Sequence, residues 1–299
     1  MSNFLNVTSQ IDQFFRELME LIPQFYVDGF GKNSIGLVPG RLETEDVQIG
    51  LDEFCENLLI EKLRASNCSL RLFSEHTQLN IGDSSEINYF ITCDPFDGSG
   101  HYMRGLPAEW WTVLTVWDPK SLVPVWACAA DFIRKEIYFA DSNGVKLEIY
   151  STGEIINLQS SKDTKVSNDS IIACYIMSPK YLRLLGNKLN NFTKIMESQF
   201  PKMRFWPDGG ACSYPWLSRG MTNAYVMFDE PRTEIDPGLG FVWASGLKVY
   251  SVSKSGNLEE YVFDPNKSSE SIPWFIASCT EDFAKDIVDL IFGYNENSQ

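Results

Sequence analysis

The chain has 299 residues, a length that suits one large domain or two packed lobes around a sizeable core. Its 44% hydrophobic and 22% charged content is that of a folded globular protein and excludes a disordered one. A formal charge of −15 excludes a surface built for nucleic acid or anionic membranes, so a phosphate ligand would need a bound cation to approach.

In chain order, Thr8 or Ser9 can cap a helix over roughly residues 9–27, because Ile11, Phe14, Phe15, Leu18, Ile22 and Phe25 recur at helical spacing. Gly29 to Gly40 reads as a loop or hairpin. A second helix is expected over about 45–65, with Asp52 and Glu56 opposite its apolar side. "LRLFSEH" and "INYFITCD" read as strands ending at Ser74-Glu75 and Asp94. Further strands follow in "WWTVLTVWD", "VPVWACAADF", "KEIYFAD" and "VKLEIY", separated by turn residues, as in an antiparallel sheet. A polar stretch near 155–169 marks a lobe boundary, giving lobes 1–160 and 161–299. The second lobe alternates strands and helices, including a helix led by Pro179, one beginning at Asp236, and a last one over about 273–293.

Seven scattered cysteines without a C-x-x-C pair read as reduced, buried thiols of a cytoplasmic protein. The first residues have neither a basic nor an apolar signal region. The most apolar stretch, Trp110 to Phe132, is broken by Asp118, Pro119, Lys120 and Pro124, so no membrane association is expected.

The stretch with most chemistry is "CDPFDGSG". Asp94, Asp97 and the Phe96 carbonyl offer the oxygen ligands a hard cation takes, provided the chain turns at Pro95-Phe96. Gly98, Ser99 and Gly100 add free amides and a hydroxyl for a phosphoryl group. Asp, Pro, Gly and Ser are equally the residues of an ordinary β-turn, and on these residues alone both readings stand. Glu75 just past a strand reads as a surface glutamate or a ligand. Asp236 before Pro237 reads as a helix cap or a ligand.

The order Asp52-(x₃)-Glu56, Ser74-Glu75, Asp94-Pro-Phe-Asp97-Gly-Ser99 and Asp236 resembles the inositol monophosphatase and fructose-1,6-bisphosphatase superfamily of Mg²⁺-dependent, lithium-sensitive phosphatases. The resemblance implies a layered αβαβα sandwich of the α/β (α+β) class and hydrolysis of a small phosphate monoester, an inositol or sugar phosphate, by metal-activated water. It implies two or three Mg²⁺ ions held by Glu75, Asp94, the Phe96 carbonyl, Asp97 and Asp236. Ser99 would position the attacking water, with Asp52 and Glu75 assisting. Gly98, Ser99, Gly100, Gly209, Gly210, Ala211, Asp229 and Asp236 would contact the substrate, and Asp229 points toward a polyol. Many members are homodimers.

The chain departs from the family pattern at His76 (for a second Glu), at Gly100-His101, at Ile235 and the residues after Asp236, and at Ile49 (for a Thr). Fructose-1,6-bisphosphatase or bisphosphate nucleotidase activity is an alternative, as is a metal-binding or interaction protein with impaired catalysis.

Overall fold

The computed structural model describes residues 2–38, 47–82, 86–176, 178–268 and 270–292. The elements are α1 (Ser2–Asp28), the hairpin β1 (Ser34–Leu37) and β2 (Val47–Ile49), α2 (Gly50–Ala65), β3 (Leu70–Ser74), β4 (Gln78–Ile81) and β5 (Tyr89–Asp97). Then come α3 (Ser99–Met103), β6 (Trp111–Trp117), β7 (Pro124–Asp131), β8 (Glu136–Asp141), β9 (Gly144–Ile149) and β10 (Glu154–Asn157). The second half has β11 (Ile171–Ala173), α4 (Pro179–Gln199), β12 (Arg204–Trp206), α5 (Ser213–Ser218), β13 (Ala224–Pro231), α6 (Arg232–Ile235), a 3₁₀ turn (Asp236–Gly238) and α7 (Leu239–Ser245). It closes with β14 (Lys248–Val252), β15 (Leu258–Glu260), β16 (Ser271–Ser278) and α8 (Glu281–Phe292).

Two sheets organise these elements. An eight-stranded sheet runs β10-β9-β8-β7-β6-β5-β3-β4, and a six-stranded sheet runs β12-β11-β13-β16-β14-β15. The alternation along β6 sets the layers. Leu114 and Val116 face the core formed with α1 and α2, which includes Ile11, Phe14, Phe15, Leu59 and Leu63. Trp111, Val113 and Trp117 face the opposite way, into a core shared with Tyr214, Phe241 and the second sheet. That inner core contains α5 and α7. α7 approaches so closely that a Cβ on Gly240 would sit 2.5 Å from the Ala127 Cβ, which explains the small residues of β7 there. On the far side of the second sheet lie α4 and α8. The result is the expected αβαβα sandwich.

Boundaries differ from expectation in four places. α1 begins well before Thr8, whose hydroxyl donates to the Phe4 carbonyl within the helix instead of capping it. The second helix, expected from about residue 45, begins only at Gly50, because Val47–Ile49 pair with β1 as β2; residues 39, 40, 45, 46 and 293 of the expected elements lie outside the described residues. Residues 271–278 form β16, a strand between β13 and β14, so the last helix starts only at Glu281. Its β-branched and aromatic residues pack inside the sheet, and that burial outweighs any helical periodicity. Finally, the chain is already helical at Arg232, four residues before Asp236.

Candidate active site

Strands β3 and β5 are parallel neighbours, with Ser74 opposite Cys93. Glu75 and Asp94 therefore follow paired residues at the same level of the two strands, toward the carboxyl ends where open α/β sheets place ligands. β5 does not end at Asp94. It continues to Asp97 through a bulge, since Asp94 pairs with Val113 and Asp97 with Trp111, three steps on one strand against two on the other. The Thr112 hydroxyl donates to the Pro95 carbonyl and pins the bulge. Gly98 then takes φ 102°, and a Cβ there would lie 2.1 Å from the Glu109 carbonyl oxygen, so only glycine fits.

α3 starts at Ser99, whose side chain lies 2.5 Å from Asp52 Oδ1 and 3.0 Å from the Phe96 carbonyl. The hydroxyl has one proton, and the closer carboxylate is its acceptor. The other Asp52 oxygen accepts the Ile49 N–H at 2.7 Å at the start of α2. Ile49 has no side-chain cap to offer, yet its backbone still orients Asp52, which is 1% exposed. Asp94 is equally buried and accepts the Phe96 N–H, and both Asp52 and Asp94 help raise the buried Cys55 thiol's pKa after the larger effect of burial. Asp97 accepts the Cys212 N–H from the start of α5 at 3.0 Å. A Cβ on Gly210 (φ 131°) would be 2.7 Å from the same carboxylate. Burial, then Glu234 and Asp208, push the Asp97 carboxyl well above the ordinary aspartate range.

A cavity of about 570 Å³ opens at this point, lined by Asp97, Gly98, Ser99, Gly100, Gly209 and Gly210 among the expected residues. Its remaining acidic lining is Glu109, Asp208, Glu230 and Glu234. Asp229 does not line it. That residue sits at φ 56° with its carboxylate 3.2 Å from Lys180, while its neighbour Glu230 faces inward and accepts the Tyr225 hydroxyl. Ala211 is fully buried in the inner core rather than on the cavity wall.

Asp236 is not on the wall either. Its Oδ1 accepts the Tyr261 hydroxyl at 2.6 Å, and burial raises its pKa to about 7. The carboxylate that this segment brings beside Asp97 is Glu234, two residues earlier. Asp236 nonetheless anchors the segment to the first sheet, because the Thr92 and Thr115 hydroxyls donate to the Asp236 and Pro237 carbonyls.

The His76 side chain is buried, and neither ring nitrogen has a hydrogen-bond partner. Its Nε2 is 3.4 Å from Glu75, outside hydrogen-bonding geometry, and burial lowers its pKa to about 4. The imidazole is neutral at pH 7 and replaces a charge with a packed ring. His101 of α3 contacts Asp208, in the segment after β12, directly. Among the described residues, the set of three potential ligand atoms lying within 4.8 Å of one another belongs to His101, Glu109 and Asp208, not to the expected carboxylates. Asp94, Asp97 and Asp236 are turned instead to their own donors at Phe96, Cys212 and Tyr261. Glu234 and Glu109 were not singled out from the sequence. Glu234 sits beside Asp236 and had a signal there, whereas nothing local marks Glu109.

No family model matches the sequence. Over 74 residues the chain is 34% identical to the fructose-1,6-bisphosphatase of Schizosaccharomyces pombe, a match spanning 25% of this chain and 21% of that protein. Solved structures align over nearly the whole chain. The extragenic suppressor protein suhB of Bartonella henselae superposes with TM-score 0.70 at 15% identity, covering 97% of this chain and 99% of that one. An inositol monophosphatase–fructose 1,6-bisphosphatase gives 0.69 at 17%, covering 95% and 98%. A dual inositol monophosphatase/NADP phosphatase solved with Mg²⁺ and phosphate gives 0.65 at 14%, covering 95% and 94%. No helix among the described residues is long and apolar enough to cross a membrane.

Proposed function

The chain has the layered fold of the inositol monophosphatase and fructose-1,6-bisphosphatase proteins, and on that premise we propose that it is a divalent-metal-dependent phosphatase acting on a small phosphate monoester. The observation that carries this reading is the Ser99–Asp52 contact at 2.5 Å at the rim of an acidic cavity. Asp97, Glu109, Asp208, Glu230 and Glu234 line that cavity, and an anionic substrate would be repelled from it without added positive charge. The donor set suits a hard cation, because it is made of carboxylate and carbonyl oxygens.

Asp94, Asp97, the Phe96 carbonyl and Glu75 would hold Mg²⁺, with Glu234 in the position expected of Asp236. Bound Mg²⁺ supplies a water of lowered pKa and neutralises the phosphoryl oxygens. Ser99 donates its hydrogen bond to Asp52, so its lone pairs are free to accept a hydrogen bond from an attacking water, and a proton taken from that water is balanced by the Ser99 proton passing to the Asp52 carboxylate. Asp52, fixed by the Ile49 N–H, keeps the hydroxyl turned that way. The amides of Ser99 and Gly100, in the first turn of α3, are groups that a helix leaves without internal partners, and they can meet a phosphoryl oxygen.

With Asp229 paired to Lys180, its support for a polyol substrate falls away, and the substrate class that remains is a small phosphorylated metabolite. Fructose-1,6-bisphosphatase activity is the second reading, favoured by the local match to the yeast enzyme. Release of inorganic phosphate from inositol, sugar, bisphosphorylated sugar and nucleotide phosphates, with and without Mg²⁺ and Li⁺, tests both. Turnover of at least one substrate, lost on chelation and reduced by Li⁺, is expected. No Mg²⁺-dependent release from any of them would overturn the phosphatase reading and leave a metal-binding or interaction protein.

A further inference from the structure

We propose that His101, Glu109 and Asp208 form a separate binding site for a borderline divalent ion of the Zn²⁺ class, spanning the two lobes at the cavity wall. The three residues come from α3, from the loop before β6 and from the segment after β12, and a ligand atom of each lies within 4.8 Å of the others. One imidazole and two carboxylates are a donor set that selects Zn²⁺ and its neighbours over Mg²⁺.

Two features go beyond proximity. Glu109 is 8% exposed, and its Oε2 is buried with no hydrogen-bond donor, an arrangement that is costly unless a proton or cation meets it. Each carboxylate is also held by its other oxygen. Trp206 Nε1 donates to Glu109 Oε1 at 2.5 Å, and the Gly209 N–H donates to Asp208 Oδ1 at 2.9 Å. Those outer contacts leave Glu109 Oε2 and Asp208 Oδ2 for the cluster, where Oδ2 meets His101 Nε2 directly through a proton that a bound cation would displace.

The backbone is committed to this placement as well. Glu109 takes φ 57°, unusual for a non-glycine residue, with its carbonyl pressed against Gly98. Three protein ligands leave a fourth position, and because all three residues line the cavity that position opens toward it. The competing thiols are poor alternatives, since all seven cysteines are buried.

The test is titration of metal-free full-length protein with ZnCl₂ by calorimetry in excess Mg²⁺, with Co²⁺ absorption reporting coordination number. One Zn²⁺ per chain is expected, with a Co²⁺ spectrum of low coordination. His101→Gln, which can keep a donor toward Asp208, and Asp208→Asn should each weaken binding about tenfold or more. Asp94→Asn should leave it intact, which separates this site from the proposed Mg²⁺ ligands. Absence of Zn²⁺ binding in excess Mg²⁺, or wild-type affinity in His101→Gln, would overturn the assignment. Should either variant fail to melt cooperatively, Glu109→Gln replaces it under the same criteria.

Discussion

Substituting Gly210 by alanine probes the contact on which the cavity depends. The new Cβ would stand 2.7 and 2.8 Å from the two Asp97 carboxylate oxygens, closer than any relaxed contact, at a φ of 131° that side-chain-bearing residues rarely adopt. The backbone strain costs about 1–2 kcal/mol. Moving Asp97 away breaks its bond with the Cys212 N–H and strands a buried donor, at about 1–3 kcal/mol. The sum, about 2–5 kcal/mol, corresponds to melting about 3–8 °C lower for a chain of 299 residues. Displacing Asp97 should also lower any Mg²⁺-dependent phosphate release about a hundredfold. The assays are thermal melting with and without Mg²⁺ and phosphate release at saturating substrate. A variant melting within about 1 °C of wild type, with its Mg²⁺ response intact, would refute the claim that Gly210 and Asp97 are mutually constrained.

Mg²⁺ should raise the melting temperature of the wild-type protein by linkage, and Glu234→Gln should blunt that rise more than Asp236→Asn, whose amide oxygen still accepts from Tyr261; equal rises in the two variants would contradict the assignment of Glu234. Arg16 makes paired 2.9 Å contacts with Glu148 and holds its carboxyl below the usual range. Arg16→Met should cost about 1 kcal/mol, discounted because Arg16 is 39% exposed. Because the Glu148 pKa is depressed in the fold, this stabilisation is present above the ordinary glutamate pKa of 4.5 and fades as pH falls through its lowered value, which urea melts of both proteins at several pH values would reveal. Gly186 in α4 has nothing within 4 Å of an added Cβ, so Gly186→Ala should stabilise by about 0.5–1 kcal/mol, read as a raised urea midpoint.

Local chemistry made part of this protein legible in one dimension. The alternation of β6, the Asp-Pro-Phe-Asp-Gly-Ser turn and the helix carrying Asp52 are short-range patterns, and the structure joins the last two through the Ser99–Asp52 contact. Two other features depended on three dimensions. The choice between Glu234 and Asp236 rested on where the helical path begins. Starting at Arg232, a separation of two residues is about 200° of rotation, so one carboxylate faces Asp97 and the other faces Tyr261. His101 and Asp208 are 107 residues apart, and Glu109 joins them only because its loop is pressed against Gly98. Residue spacing carries no trace of that meeting. It is produced by the packing of α3 and the loop before β6 against the segment after β12, where burial removes water from groups that a sequence presents as ordinary surface charges.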